Sequence, residues 1–492
     1  MACVKADSTG MDRTVAIDRR GWSLSMRFKG LASGIALFGA LALATPLVHA
    51  GESALSNKPI PMVTEVDVVK VNPPANEVGP RAAPIVEIGP EFLNTGNIEP
   101  GIEIPTGAIW SPSLWVFGDY RTSLAYFNDA GRPTTSEWAH RLDLFFNLQL
   151  SPTERILFGI QPLHRRSEFT VVSIKPDNRN SEFKLNRHVE TLFFEGEFGE
   201  IFPRLTPNDN EGLDFGFSVG RQPIFFQEGM MFNDVIDAVA LTRDTIVLPG
   251  LSPDMRATLL FGWANVQRDN NVLDKDAYVF GLFTETDFLK STVNVDAAYV
   301  ESSTHNGGDG GFLGISAIQR IGHYNTAFRA NGSVSFDRDS SVVDDGVLLF
   351  GEVSRNMTGS ENILYLNAFW GIENYSSAAR GATTGGPLGQ TGILFAAVGL
   401  GSYGAALGNR ADNAFGAALG HQWFFNHERT NFILEIGGRR DTTGRNTVSG
   451  AIGGRLQIGL GDRYILQFDG FVVGRQRADF GTGARTEFLV RF

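Results

Sequence analysis

Eight histidines are where this chain could hold a catalytic base or a metal ligand, and their surroundings offer little. They stand at positions 49, 140, 164, 188, 305, 323, 421 and 427. A hydroxyl nucleophile must lie within hydrogen-bond reach of its base, yet no histidine here has a serine two residues on along the same strand face. His305 lies in Thr304-His305-Asn306-Gly307-Gly308-Asp309, a loop with no further support for a metal, and His140 reads as an interface residue beside Trp138. Gly399-Leu400-Gly401-Ser402-Tyr403-Gly404 has the spacing of a dinucleotide fingerprint. That motif also needs a buried strand before it, a helix after it and an acidic residue about 20 positions on. In a Gly/Ala-rich stretch it reads instead as a loop, either external or folded back to narrow a pore. No catalytic, cofactor or metal residue is expected.

The charged residues say more, because their spacing is two. Between Glu137 and Leu150, Trp138, His140, Leu142, Leu144, Phe146, Leu148 and Leu150 share one face, while Glu137, Arg141, Asp143, Asn147 and Gln149 share the other. Leu114, Val116, Tyr120, Leu124 and Tyr126 likewise alternate with Trp115, Phe117, Asp119, Arg121 and Ser123. A charge held in hydrocarbon at mid-bilayer costs roughly 2–4 kcal/mol, so charges of single parity mean that the other face meets lipid. The same rule turns Arg329, Arg439, Arg455 and Arg491 inward, together with Glu195, Glu197, Asp214, Asp296, Glu435, Asp469 and Glu487. The inner signs are mixed. They suit a polar solute path, and equally salt bridges that brace the wall, such as Arg141 with Asp143.

The elements that carry these residues are alternating strands from Ser111 to Phe492, about 18 of them, an even number being expected of a single-chain bacterial barrel. Tight polar connections (Ser151–Glu154, Gly461–Arg463) alternate with longer Gly/Asn/Asp/Ser-rich ones (173–185, 302–311, 375–392). No apolar run outside the N-terminus approaches the roughly 20 residues of a transmembrane helix. The chain has 492 residues with 57 glycines, 38 phenylalanines and 42% hydrophobic residues. The fold class expected is an all-β transmembrane antiparallel barrel, wide enough to leave an aqueous lumen.

Both ends agree. The last strand, Thr486–Phe492, sets Phe488, Val490 and Phe492 on one face; it resembles the signal read by the outer-membrane barrel assembly machinery of Gram-negative bacteria. Met26–Gly30 opens a basic segment, Leu31–Leu43 is apolar, and Val48-His49-Ala50 is a cleavage-type site, so residues 1–50 read as a signal peptide with a possible start at Met26. Cys3, the one cysteine, falls inside it. The first 50 residues carry six basic and three acidic side chains, so the net −12 of the whole chain becomes −15 without them. That balance argues against nucleic acid. Residues 51–110 hold nine prolines and read as an extended periplasmic or lumen segment.

Val219-Gly220-Arg221-Gln222, followed by Gly229-Met230-Met231-Phe232-Asn233-Asp234, resembles the alginate export porin family of outer-membrane proteins. The matching residues are Gly220, Arg221, Gln222, Phe232 and Asp234, with Asn233 where that family usually has Asp. The resemblance implies a passive channel for an anionic polysaccharide, oligosaccharide or small polar solute. Its expected pore-lining residues are Arg121, Arg141, Asp143, Glu195, Arg221, Asp234, Arg329, Arg439, Arg455, Asp469 and Arg491. Arg221 either faces solute or is a structural arginine paired with Asp234. The alternative is a loop-plugged structural or surface-binding barrel without transport. The expected partners are outer-membrane lipid, the assembly machinery and the solute, with a monomer favoured.

Overall fold

The computed structural model describes residues 83–89, 101–129, 134–174, 181–205, 213–337, 339–340, 342–444 and 446–492. The expected signal segment, Cys3 and most of the Pro-rich stretch lie outside the described residues. Eighteen strands form one closed antiparallel barrel. They are β1 Ser113–Asn128, β2 Thr135–Gln149, β3 Arg155–Ile160, β4 Val189–Glu197, β5 Gly216–Phe226, β6 Phe232–Arg243, β7 Asp254–Trp263, β8 Tyr278–Phe288 and β9 Ser291–Glu301. The second half comprises β10 Gly310–Ile321, β11 Tyr324–Ser335, β12 Gly346–Asn356, β13 Ile363–Glu373, β14 Ala414–Phe425, β15 Thr430–Asp441, β16 Val448–Leu460, β17 Tyr464–Arg475 and β18 Gly481–Arg491.

Closure runs along β18 and β1, from Thr482 opposite Asn128 to Arg491 opposite Asp119. Phe492 completes it, exchanging backbone hydrogen bonds of 2.7 and 3.0 Å with Gly118. Below that point a short strand, Val86–Ile88, takes over beside Leu114–Val116. Every strand edge at the seam therefore has a partner, which hydrocarbon demands.

Side-chain parity follows the sequence pattern. Leu124, Tyr126, Trp138, Leu259, Phe261, Leu282 and Ile436 are exposed on the outer face. Ser123, Asp143, Asn147, Asp296, Asn331 and Glu435 are buried inside. Phe488 lies on the outer face, stacked on Tyr464. One strand starts later than its alternation suggests: β5 begins at Gly216, and Leu213–Phe215 belong to the preceding turn, where Phe215 stacks on Phe198.

Two segments leave the wall and enter the lumen. The β5–β6 hairpin stays zipped from Gly216–Thr242 to Phe226–Phe232. However, β4 pairs with β5 only up to Arg221, and β7 pairs with β6 only from Asp237. Gln222–Ile236 is thus released from both neighbours at once. Gly220 permits the departure: its φ is +127°, and a Cβ there would lie 2.3 Å from the Leu192 carbonyl oxygen. The second segment is the connection 374–413, longer than the 375–392 expected. Its residues Ala379–Arg380 pair in parallel with Phe232–Asn233 of the released hairpin.

Apolar packing holds both inside. Ile224, Met231, Phe232 and Ile236 pack with Leu260, Val279, Phe283 and Phe312 of the wall. Met230 joins Leu388, Leu394, Phe395 and Leu407 of the long connection against Phe350 and Phe369. The barrel is not an empty cylinder.

Candidate pore constriction

The constriction is built where the hairpin tip crosses to the far wall. Gln227 Nε2 donates to Asp296 Oδ2 of β9 at 2.8 Å, and Glu228 sits 3.8 Å from Arg329 of β11. Arg329 also lies over the Phe350 ring at 5.6 Å. Phe226 stacks on Phe283 of β8 with centroids 3.5 Å apart.

The long connection is suspended from inward side chains of the opposite wall. Glu435 accepts the backbone N–H groups of Ile393 and Leu394, each at 3.0 Å, and the Tyr365 hydroxyl at 2.7 Å. Glu137 accepts the N–H of Ser402. Three of the arginines expected to line the pore donate to loop carbonyls: Arg121 to Val398, Arg141 to Gly399 and Arg439 to Arg410. The glycine-rich run 399–404 is therefore the inward-folded loop. Gly401 holds a φ of +65°, the left-handed conformation glycine adopts freely, beside the Glu137 carboxylate.

The same arginines are paired within the wall. Arg121 meets Glu487 at 2.6 Å, Arg141 meets Asp143 at 2.6 Å and Arg439 meets Asp441 at 2.9 Å. Glu195 pairs with Arg155 at 2.6 Å. Arg455 and Arg485 both hold Asp469 at 2.6 Å, and Arg485 also holds Glu487. Sequence reasoning missed Arg485, although it shares the parity of Glu487 and Arg491. Arg491 sits exposed at the closing end, and its backbone N–H reaches the Arg463 carbonyl. Arg221 does not pair with Asp234. The hairpin register sets it opposite Asp237, which it grips at 2.8 and 3.1 Å. Asp234 falls on the other face and accepts Gln267 through both backbone and side chain, at 2.6 and 2.9 Å.

Above the hairpin lies a cavity of about 460 Å³, lined by the hairpin, by Gln161, His164, Arg165, Arg166 and His188, and by residues 381–384. Its cations include Arg165, Arg166 and Lys275, none of which has a carboxylate partner among the described residues. Its carboxylates, Glu190 and Asp234, are already engaged by Asn186 and Gln267. His164 also lines it, buried and stacked on Phe169 at 5.3 Å. Burial, reinforced by the nearby Arg141 cation, pulls its imidazole down to about 4, so it is neutral at pH 7. Parity could not find these cations, because they sit on connections that have no period.

Arg380 is the other residue the sequence did not mark. It is wholly buried, and its guanidinium donates to the carbonyls of Gly229 at 2.5 Å and Gly385 at 2.9 Å. One side chain thus ties the hairpin tip to the long connection. Burial pulls it down to about 10, still charged at neutral pH. Among the described residues no cluster of His, Cys, Asp and Glu fits a metal ion.

Fold and lumen together define the class: a closed 18-stranded antiparallel β-barrel with an apolar outer face and two segments folded into its lumen. Solved structures that share this fold include the following three. A BenF-like porin from Pseudomonas fluorescens Pf-5 superposes with TM-score 0.52 at 10% identity, covering 77% of this chain and 98% of that one. OccK9 (OpdG) and the outer membrane protein OpdK, both from Pseudomonas aeruginosa, give 0.51 and 0.50 at 10% identity with the same coverage. At that identity the likeness is one of fold. No protein-family model matches the sequence, and no curated protein matches it.

Proposed function

We propose that the protein is a passive outer-membrane channel selective for small anionic polar solutes, its path narrowed by the β5–β6 hairpin and the 374–413 connection. One observation carries the reading. The wall arginines Arg121 and Arg141 are neutralised by carboxylates, while the uncompensated cations, Arg165, Arg166 and Lys275, converge on the cavity above the constriction. Unpaired cations gathered at one mouth concentrate anions and repel cations. A cavity of about 460 Å³ lies toward the small end of the ~300–1,000 Å³ typical of small-molecule sites.

The likeness of Gly220–Gln222 and Phe232–Asp234 to alginate export porins favours an acidic polysaccharide as a second reading. In this chain, however, those residues hinge and tether the hairpin. Gly220 allows the bend, and Gln222 Nε2 caps the Ala238 carbonyl at 3.0 Å. They serve narrowing, which suits a monomeric solute better than a polymer.

Block of single-channel current in a planar bilayer tests this directly. Small mono- and dicarboxylates should interrupt the current at concentrations where neutral sugars of equal size do not. Stronger block by acidic oligosaccharides than by monomers would favour the polysaccharide reading. Absence of any current would leave a plugged structural barrel.

A further inference from the structure

A second cavity lies inside the barrel against the hairpin tip, toward the end where the connections are tight. Its volume is about 290 Å³, and its charged lining is Glu228, Arg329, Glu352 and Arg455. Glu352 stands near the end of β12, from which the short connection 357–362 leads to β13. Short turns mark the periplasmic end of such barrels.

Arg329 differs from the other wall arginines. Arg121, Arg141, Arg439, Arg455 and Arg485 grip carboxylates at 2.6–2.9 Å. Arg329 has only Glu228, at 3.8 Å, which is beyond hydrogen-bond reach. Its Nε is buried with no acceptor among the described residues. A buried donor left unmade is costly, so this guanidinium is poised for an acceptor that the protein does not supply. Glu228 is half exposed and stands on a turn in which Gln227 and Glu228 both take left-handed φ, +54° and +51°. Non-glycine residues seldom sit there. That turn brings a carboxylate near the guanidinium without engaging it.

Strand register places acceptors beside this donor. Glu352 opposes Asn367 of β13 on one side and Ala327 of β11 on the other, and Arg329 opposes Phe350. Directly opposed side chains start roughly 5 Å apart, and diagonal ones roughly 7–8 Å. Asn367 Oδ1 is buried with no donor, and Glu352 makes no ion pair or hydrogen bond among the described residues. Arg455 is already held by Asp469. One small space is thus faced by an unsatisfied cation on one side and by an unsatisfied carboxylate and carbonyl on the other.

We infer that this cavity binds an acidic α-amino acid. Its carboxylate takes the Arg329 guanidinium in place of Glu228, and its ammonium sits between Glu352 and Asn367 Oδ1. A carboxylate alone would leave Glu352 and Asn367 unanswered, and an amine alone would leave Arg329 so. The inference rests on the anion-selective reading above and narrows it to anions that also carry an ammonium group.

Single-channel block of the full-length protein in a planar bilayer tests the assignment with L-glutamate and glutarate, which share a carbon chain and two carboxylates and differ in the ammonium. Glutamate should occupy the wild-type channel several-fold longer per event than glutarate. Glu352→Gln should abolish that preference without shortening the glutarate events. Arg329→Gln should shorten both by about tenfold, and Arg329→Lys should recover part of the loss. Heat-modifiable gel mobility will show that each variant is a folded barrel. No resolved block, equal dwell times in the wild type, or a preference that survives Glu352→Gln would overturn the inference; the last is what a bracing role for Glu352 predicts. A cation-selective channel that keeps a Glu352-dependent glutamate preference would overturn the anion reading and leave this site standing. Anion selectivity without that preference would do the reverse.

Discussion

At the scale of residues, two populations of arginine do different work. Those such as Arg121 on the wall are held by carboxylates and direct their remaining N–H groups to loop carbonyls, here Glu487 and Val398. Arg165 and Arg166, at the cavity above the hairpin, have no acidic partner among the described residues. Replacing Arg165, Arg166 and Lys275 with glutamine should leave folding intact and cut anion preference several-fold, read as the ratio of chloride to potassium permeability. Arg485 belongs to the first kind, almost completely buried between Asp469 and Glu487. Arg485→Leu leaves two carboxylates short of a partner and should cost about 3–5 kcal/mol, visible as a lower unfolding midpoint in denaturant. His164 gives a pH test. Its folded value of about 4 lies below its ordinary 6.5, so the unfolded form binds more protons between those limits. Stability is therefore full above about 6.5 and falls as pH drops toward 4. Hydrogen exchange in the 161–188 connection should speed up at pH 4.5 in the wild type and much less in His164→Phe.

At the scale of elements, the lumen is shaped by two segments that abandon the wall. Gly220→Val places a side chain against the Leu192 carbonyl at a positive φ, so the hairpin bend should fail and the heat-modifiable folded fraction should drop. Phe395 anchors the long connection and is fully buried. Phe395→Ala should cost ~3–5 kcal/mol of local packing and let the connection swing, raising single-channel conductance with noisier steps. The strands themselves could be read in the sequence, because an apolar alternation with charges confined to one parity is what a wall between lipid and water requires; β1, β2 and β18 stand where Leu114–Tyr126, Glu137–Leu150 and Thr486–Phe492 put them. The inward segments could not. Ile393–Leu400 is as apolar as any strand, yet its partners are Glu435 and the lumen side of distant strands, and no periodicity encodes that. Arg221 shows the same limit: its pairing with Asp237 instead of Asp234 follows from hairpin register, which the motif alone does not contain.

At the scale of the molecule, one long sheet closes on itself and then fills itself. Deleting Phe492 removes two backbone hydrogen bonds at the seam and the terminal aromatic, so it should lower the amount of folded barrel in the membrane without altering the selectivity of what assembles. Normal accumulation of the truncated chain would refute its part in assembly. Unpaired cations above an inward-folded constriction should make the barrel an anion-selective channel. The most direct measurement is the reversal potential of purified wild-type channels across a KCl gradient, beside that of the Arg165, Arg166, Lys275 triple glutamine variant. The expected result is a wild-type reversal potential displaced toward that of chloride, and a shift toward zero in the variant. A wild-type value displaced toward potassium, or an unchanged value in the variant, would contradict anion selection by these three cations.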